Sequence, residues 1–256
     1  MTTRLKMTAK NAFWSYFSMG ISFILQFISR TVFIYFLGEE YLGINGLFTN
    51  ILGVLSFAEL GIGTAINFSL YKPVADHDIE KIKSYMYYYK WAYRFIALVI
   101  CILGIFLIPF LDLLVKDPGD VGNIRVYYCI YLFNTVTSYF VSYKYSLVNA
   151  EQKNYIYTNL NLIINASTIV VQIVSLFIWK NFLVYLLTAA IFGLIQKIFI
   201  SVYFNKLYPF LKDEKCEKLT KKEKMTLFNK VKALTIHKIG DVSVHQTDNI
   251  IVSAFV

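Results

Sequence analysis

Long apolar segments recur along the chain and are separated by short polar turns. Between Asn11 and Ser29 no residue is charged, and after Arg30 the apolar residues continue to Leu37. At about 1.5 Å per residue, a helix of this length crosses a hydrocarbon layer of about 30 Å. The same pattern predicts six membrane-spanning helices and the start of a seventh. Their predicted ranges are 11–37, 42–71, 92–115, 124–148, 155–179 and 182–205, with the seventh starting near 233.

The predicted spans divide the chain into three parts. Residues 1–205 are expected to form an N-terminal six-helix transmembrane bundle, and residues 233–256 the start of a seventh span. Residues 206–232 are rich in lysine and predict an amphipathic helix on the inner leaflet of the membrane. The apolar residues that define this helix are Leu219, Met225, Phe228 and Val231. Because no charge follows Asp248, we expect a longer protein with a second bundle.

Polar side chains follow one face of each of the first two spans. They recur mostly at steps of three or four residues, which places them on one side of a helix. A charge inside the membrane costs about 2.5–3.5 kcal/mol on insertion scales, so it usually faces a bundle interior or a water-filled cavity. We therefore expect the two stripes to border a polar lumen. The candidate residues are Ser22, Gln26 and Arg30 in the first span and Asn45, Glu59 and Asn67 in the second.

The fifth predicted span carries the most regular polar pattern. Its polar residues alternate steps of four and three along the whole helix, which predicts a continuous seam of neutral hydrogen-bonding groups. Two interpretations are open: the seam binds neighbouring helices, or it lines a cavity. The seam consists of Asn154, Thr158, Asn161, Asn165, Thr168, Gln172 and Ser175.

The other spans differ in how much polar character they carry. The fourth has a looser polar series that begins at Asn134, and the sixth contains Lys197. The third, from Phe95 to Leu111, is apolar all round. We expect the third span to face lipid.

Composition and charge assign the chain to a membrane class. Of its 256 residues 57% are hydrophobic and 16% charged, and the mean hydropathy is +0.54. Soluble domains are about half apolar and a quarter charged. With a cytoplasmic N-terminus, the cytoplasmic segments hold 19 Lys and Arg and the outer turns 3, which agrees with the positive-inside rule. This bias and contact with anionic lipid explain the net charge of +9, so we do not expect nucleic-acid binding.

Motifs of the main enzyme classes are missing from the sequence. It has no G-x-S-x-G, no H-E-x-x-H and no G-x-x-x-x-G-K phosphate loop. His237, Asp241, His245 and Asp248 share a helical face, which fits either a metal or proton site or a polar stripe facing a cavity. Since a second ligand cluster is missing, we favour the stripe and expect no metal and no cofactor. Transport is therefore favoured over catalysis.

Three segments in the first two spans resemble a known family. They are Ser29–Phe33, Leu37–Leu47 and Ala58–Ile66, and Thr247–Ser253 is a further similar element. These segments resemble the Wzx-type polysaccharide flippases of the multidrug/oligosaccharidyl-lipid/polysaccharide exporter superfamily. The resemblance implies an all-α fold of two six-helix bundles, with spans one, two, seven and eight around a central cavity. This chain would then be the N-terminal half.

The resemblance also implies a substrate and roles for particular residues. Such flippases move a polyprenyl diphosphate that carries an oligosaccharide from the inner to the outer leaflet of the bacterial plasma membrane. The expected partners are therefore this lipid-linked oligosaccharide, the lipid bilayer and, as further candidates, polysaccharide assembly proteins. Arg30 would contact phosphate or sugar, with Lys197 as a second candidate, while Asn and Ser side chains of spans one, two and five would contact sugar hydroxyls. Glu59 and Asp248 would balance charge, carry a coupling cation or proton, or pair with Arg30.

Other functions stay open at this point. A multidrug or organic-cation antiporter of the same superfamily should have a net acidic cavity with aromatic faces. A peptidoglycan-lipid flippase would differ only in its substrate. A polymerase or ligase of lipid-linked sugars would be an enzyme with a large outer loop, which the predicted topology lacks.

Overall fold

The computed structural model of the protein describes residues 2–59, 61–114, 121–212, 217 and 219–236. Within these ranges the chain is almost entirely helical and has no strand, which confirms the predicted all-α class. The helices are α1 (Thr2–Leu37), α2 (Glu39–Leu55), α3 (Ile62–Ala75), α4 (Ile79–Leu107), α5 (Leu111–Leu114), α6 (Ile124–Ser142), α7 (Tyr145–Ala150), α8 (Asn154–Trp179), α9 (Phe182–Leu207) and α10 (221–236). Short 3₁₀ segments cover Ser56–Glu59, Ile108–Phe110 and Pro209–Lys212.

Four helical stretches are long and apolar enough to cross a membrane. They are Leu5–Leu37, Ile79–Phe110, Asn154–Trp179 and Phe182–Leu207, which correspond to the first, third, fifth and sixth predicted spans. The second predicted span is interrupted by a 3₁₀ segment and by Gly61, whose φ is +73°. The fourth is divided between α6 and α7. Two of the six predicted spans are therefore not single helices.

Aspartate and asparagine side chains mark the first residues of three helices. The Asp78 carboxylate accepts a hydrogen bond from the backbone N–H of Lys81 at 3.0 Å, at the beginning of α4. Asn123 and Asn181 accept in the same way from N–H groups three residues later, both at 3.2 Å, before α6 and α9. Such caps satisfy N–H groups that have no partner in the first turn. These helix starts are therefore local properties of the sequence.

The helices pack in a definite order around the bundle. α1 lies along α8, α8 along α9, α9 along α6, α6 along α4 and α4 along α3, while α2 contacts both α1 and α6. Aromatic rings surround Phe182 at the beginning of α9, with Tyr41 and Tyr127 centred 4.9 and 4.8 Å from it. At the opposite end lie the lysine-rich segments around Lys72 and Lys153, and we call this the basic end.

One face of α4 is buried, although its sequence is apolar all round. Ile96, Ala97 and Ile100 are at most 2% exposed, on a helix that packs against α3 and α6. Phe95 and Ile102 are 66% and 58% exposed on the other side. The exposed side is compatible with the prediction that the third span faces lipid, whereas the other side packs inside the bundle, which the all-apolar sequence did not indicate.

α10 packs on the basic end of the bundle. The Lys81 Nζ atom lies 2.7 Å from Glu223 Oε1. Of the apolar residues predicted to define an amphipathic helix here, Leu219 is buried, whereas Met225 and Phe228 are well exposed. One side of α10 is thus tied to the protein, and Met225 and Phe228 lie on its exposed side.

Candidate functional site

A polar cavity of about 620 Å³ lies inside the bundle, between α2, α6, α8 and α9. It extends along α9 from Tyr185 to Ile200, which is about 22 Å of helix. The described residues that line it include neither Asp nor Glu. Its amide, hydroxyl and ammonium groups come from Asn45, Asn134, Thr135, Ser138, Ser142, Asn161, Asn165, Thr168, Gln172, Gln196 and Lys197, together with Ser56 and four tyrosines.

The polar faces of α6 and α8 meet at this cavity. On α8, the lining residues Asn161, Asn165, Thr168 and Gln172 follow the predicted seam at steps of four and three. On α6, the series that begins at Asn134 continues at steps of four. Because such steps keep side chains on one side of a helix, each helix contributes a single polar wall. The looser series of the fourth span is therefore part of the same site.

The seam of α8 serves both of the functions between which its sequence pattern did not decide. The Gln196 Nε2 atom of α9 donates to Thr168 Oγ1 at 2.6 Å and to the carbonyl of Ile164 at 3.1 Å, so this part joins two helices. Asn161 and Asn165 line the cavity instead. Their side chains therefore border the open space of the cavity.

Lys197 is the cation of the cavity lining. Its Nζ atom donates to the Asn134 carbonyl at 2.9 Å, to Asn134 Oδ1 at 2.6 Å and to Thr137 Oγ1 at 2.7 Å. All three acceptors are neutral, and Lys197 forms no ion pair within the described part of the chain. A charge taken out of water is stabilised by a counter-ion at close range. An anion that enters the cavity would supply one.

A second lysine also links α6 to α9 but lies outside the cavity. Lys144, just after α6, donates from Nζ to Ser201 Oγ and Asn205 Oδ1 of α9, both at 2.8 Å. It is 4% exposed and does not line the cavity. The two lysines therefore make similar hydrogen bonds between the same helices, and only Lys197 faces open space.

Four of the predicted site residues line the cavity. They are Asn45, Asn161, Asn165 and Lys197. Asn45 is held in place by a hydrogen bond from the hydroxyl of Tyr131, a residue of α6 that also lines the cavity. Residues of α2, α8 and α9 are thus brought to one site.

The predicted residues of the first span are placed differently. Gln26 and Arg30 are exposed on α1, Ser22 is half-buried, and none of the three lines the cavity. Asn67 on α3 is also outside the lining, and its buried Oδ1 atom has no hydrogen-bond partner among the described residues. Asp248 lies outside the described residues, as do His237, Asp241 and His245 of the predicted seventh span. Roles for these residues remain predictions.

Glu59 lies next to the cavity rather than in its lining, at the break between α2 and α3. The hydroxyl of Tyr93 donates to Glu59 Oε1, and the Tyr89 hydroxyl donates to that of Tyr93 at 3.0 Å. No ion pair joins Glu59 to Arg30 within the part of the chain described here. The predicted charge-balancing and coupling roles of Glu59 are left untested.

Sequence reasoning missed Gln196 and the tyrosines of the cavity wall. Gln196 and Lys197 are adjacent polar residues in the otherwise apolar middle of α9, and that pair was an available signal. Tyr131, Tyr139 and Tyr185 gave no comparable signal, because tyrosine is common throughout this chain, with 20 residues. Only the packing of the helices identifies which tyrosines face the cavity.

Comparison with known proteins identifies a family. The family described as "Polysaccharide biosynthesis protein" matches residues 8–255. Members of this family are transporters and flippases rather than enzymes. No curated protein and no solved structure gives a match. The match covers nearly the whole sequence, including the helices that build the cavity, so this chain belongs to the polysaccharide biosynthesis protein family as a multi-pass membrane protein with an exporter role.

Proposed function

We propose that the protein moves a polyprenyl-diphosphate-linked oligosaccharide from the inner to the outer leaflet for surface polysaccharide biosynthesis. The observation that carries this proposal is the polar cavity, which combines neutral amides with one ammonium group and no described carboxylate. A lipid-linked oligosaccharide has two chemically distinct polar parts, an anionic diphosphate and neutral sugars. The cavity offers a group suited to each.

The Lys197 ammonium is suited to the diphosphate. An ammonium group binds phosphate as a point charge through charge-assisted hydrogen bonds, which are about twice as strong as neutral ones. Its present acceptors are the neutral oxygens of Asn134 and Thr137, which an anionic oxygen can replace without breaking an ion pair. The diphosphate would therefore enter at the Lys197 side of the cavity.

The amides of α8 are suited to the sugars. Each Asn or Gln side chain offers two N–H donors and one carbonyl acceptor, which complement sugar hydroxyls that donate and accept. Asn161, Asn165 and Gln172 present such groups to the cavity, and Asn45 adds another from α2. The polyprenyl chain would remain in the bilayer, and rocking of two bundles would expose the head group to each side in turn.

The alternative substrates differ in the charge that they require. An organic-cation exporter needs carboxylates in its cavity, and the described lining contains an ammonium instead. A peptidoglycan-lipid flippase transports the same diphosphate with a different head group, so it remains the alternative within this chemistry. The proposal includes a cytoplasmic N-terminus in the plasma membrane and contact of residues 206–232 with the inner leaflet.

Two lysines allow a controlled test of the proposal. Lys197→Met and Lys144→Met each remove an ammonium group that links α6 and α9, but only the first removes a charge from the cavity. We expect Lys197→Met to reduce export about tenfold or more, since a hydrogen bond to a charged group contributes about 1.5–3 kcal/mol. Lys197→Arg should retain part of the activity, and Lys144→Met should export in proportion to its abundance.

The measurement is surface polysaccharide together with the lipid-linked intermediate in the inner leaflet, at matched protein levels. Loss of transport should deplete the first and accumulate the second. If Lys197→Met exports as well as the wild type, the cavity does not bind the diphosphate and the proposal fails.

A further inference from the structure

A second polar opening, which we call the basic-end cleft, lies at the end of the bundle where Lys72 and Lys153 are found. Its volume is about 530 Å³, and it is bordered by the beginning of α1, the end of α3 and the turn between α7 and α8. It shares no lining residue with the cavity described above. The cleft is therefore separate from the region proposed to hold the diphosphate.

One wall of the cleft is rigidly attached to the bundle. The Asn11 Nδ2 group donates to the Gln152 carbonyl at 2.8 Å, and Asn11 Oδ1 accepts from the backbone N–H of Tyr155 at 3.0 Å. Lys10 Nζ lies 3.7 Å above the Tyr155 ring, close enough for a cation–π contact. These contacts hold the beginning of α1 against the turn before α8, so the shape of the cleft is preorganised.

The side chains that face the cleft are mainly neutral amides. Within the described part of the chain, the side chains of Asn149, Gln152 and Asn154 make no hydrogen bond. The acid of the cleft, Glu151, is already used, because its Oε2 atom accepts from Lys153 Nζ and from the Tyr208 hydroxyl, both at 2.8 Å. The free polar groups of the cleft are therefore uncharged donors and acceptors.

The backbone at Gln152 is in the left-handed conformation, which is strained for a residue with a side chain. Its φ is +60°, and it ends α7 with hydrogen bonds from its own N–H to Asn149 O and from Lys153 N–H to Val148 O, both at 2.9 Å. This arrangement is the Schellman motif, in which glycine is the usual residue at the left-handed position. A glutamine here costs free energy that glycine would avoid, and such costs concentrate at functional sites.

We propose that the basic-end cleft is the site where the sugar part of the lipid-linked substrate first binds, before its head group moves into the cavity. This inference rests on the proposed function and on the predicted cytoplasmic position of the basic end. Amides with free donors and acceptors complement sugar hydroxyls, and the exposed Tyr71 ring on the opposite wall offers an aromatic surface to a sugar face. The ligand class is an uncharged oligosaccharide, because the acid is neutralised and no unpaired cation lines the described cleft.

A matched pair of glycine substitutions separates binding from backbone strain. Gln152→Gly removes the amide and relieves the left-handed strain, while the backbone contacts to Asn11 and Asn149 are kept. His77→Gly relieves the same strain at φ +54° in the turn after α3 and removes no group that lines the cleft. Both variants should therefore be at least as thermally stable as the wild type.

The measurement is the rate of lipid translocation by the whole protein in proteoliposomes. The probes are polyprenyl diphosphate carrying the cell's own oligosaccharide repeat and the same lipid carrying a single sugar. For Gln152→Gly we expect the half-saturating concentration of the oligosaccharide probe to rise about threefold to tenfold, because one neutral hydrogen bond is lost. The maximal rate should be unchanged. His77→Gly should behave as the wild type with both probes, and Asn149→Ala should repeat the Gln152→Gly effect.

The outcomes distinguish this inference from the function on which it rests. If the wild type translocates neither probe, the proposed function itself is refuted. If the wild type translocates the oligosaccharide probe and both Gln152→Gly and Asn149→Ala match His77→Gly, the cleft does not bind sugar. A rise in half-saturation that is as large for the single-sugar probe would also overturn the proposal, because the effect would then not depend on the oligosaccharide that the cleft is proposed to bind.

Discussion

Gly104 allows α4 and α6 to approach closely, and its replacement tests the packing of the bundle. A Cβ atom at position 104 would lie 2.3 Å from Leu132 Cδ1 and 2.8 Å from Leu132 Cδ2. Leu132 is 6% exposed, so its side chain has little space into which it can move. Small residues at such contacts let membrane helices approach, and overpacking typically costs about 1–3 kcal/mol. Gly104→Ala should therefore lower the free energy of unfolding by about 1–3 kcal/mol relative to the same substitution at an open helical position.

Gly20 on α1 provides that open position, because a Cβ atom there would meet nothing within 4 Å. Gly20→Ala should stabilise the protein slightly, since alanine favours a helix by up to about 1 kcal/mol over glycine. The assay is the free energy of reversible unfolding in mixed detergent micelles. Adding Leu132→Ala should make Gly104→Ala neutral or favourable, as the new methyl group partly fills the space left. The packing of α4 on α6 would be refuted if alanine changed the free energy of unfolding equally at Gly104 and Gly20 and if Leu132→Ala did not alter the effect of Gly104→Ala.

Two further predictions concern the basic end and the first span. Hydrogen bonds from Lys81 and from the N–H and hydroxyl groups of Thr220 lower the pKa of Glu223 to about 2. The ionised Glu223 therefore stabilises the docking of α10 above about pH 4.5, and this stabilisation is lost as the pH falls toward 2. The protection of α10 amides against hydrogen exchange, corrected for the intrinsic exchange rate at each pH, should fall over this range, whereas Glu223→Gln should show the lower protection at all pH values. The variants Arg30→Ala and Arg30→Lys test the predicted phosphate contact. Surface polysaccharide and the inner-leaflet intermediate are measured for both. Normal export by both variants would refute the contact and leave the exposed Arg30 without a transport role.

The fold class was predictable because it follows from run length and composition. In hydrocarbon every backbone polar group must be satisfied within the segment, so a long apolar run can only be a helix. The stretches that include Leu5–Leu37 and Phe182–Leu207 were recognised for this reason. The break at Gly61 was harder to predict, since a 3₁₀ segment and a left-handed glycine leave the hydrophobicity of the second span almost unchanged.

The candidate site was predictable where the pattern of a single helix determines which polar residues share a face. The polar steps that contain Asn161 and Asn165 lie on one face of α8 whatever surrounds it, and that face borders the cavity. Arg30 illustrates the limit of this reasoning, because the polar steps assign it to one face of α1, but whether that exposed face borders a lumen depends on contacts that a single helix does not determine.

By itself the sequence determined that the protein is helical, where most helices lie and which side chains share a face. Only the tertiary structure decided that α6, α8 and α9 turn their polar faces toward one another, that Lys197 faces the cavity while Lys144 does not, and that one face of α4 is buried. The physical reason is that periodicity is a property of one helix, whereas the neighbour of each face depends on contacts between residues far apart in the chain.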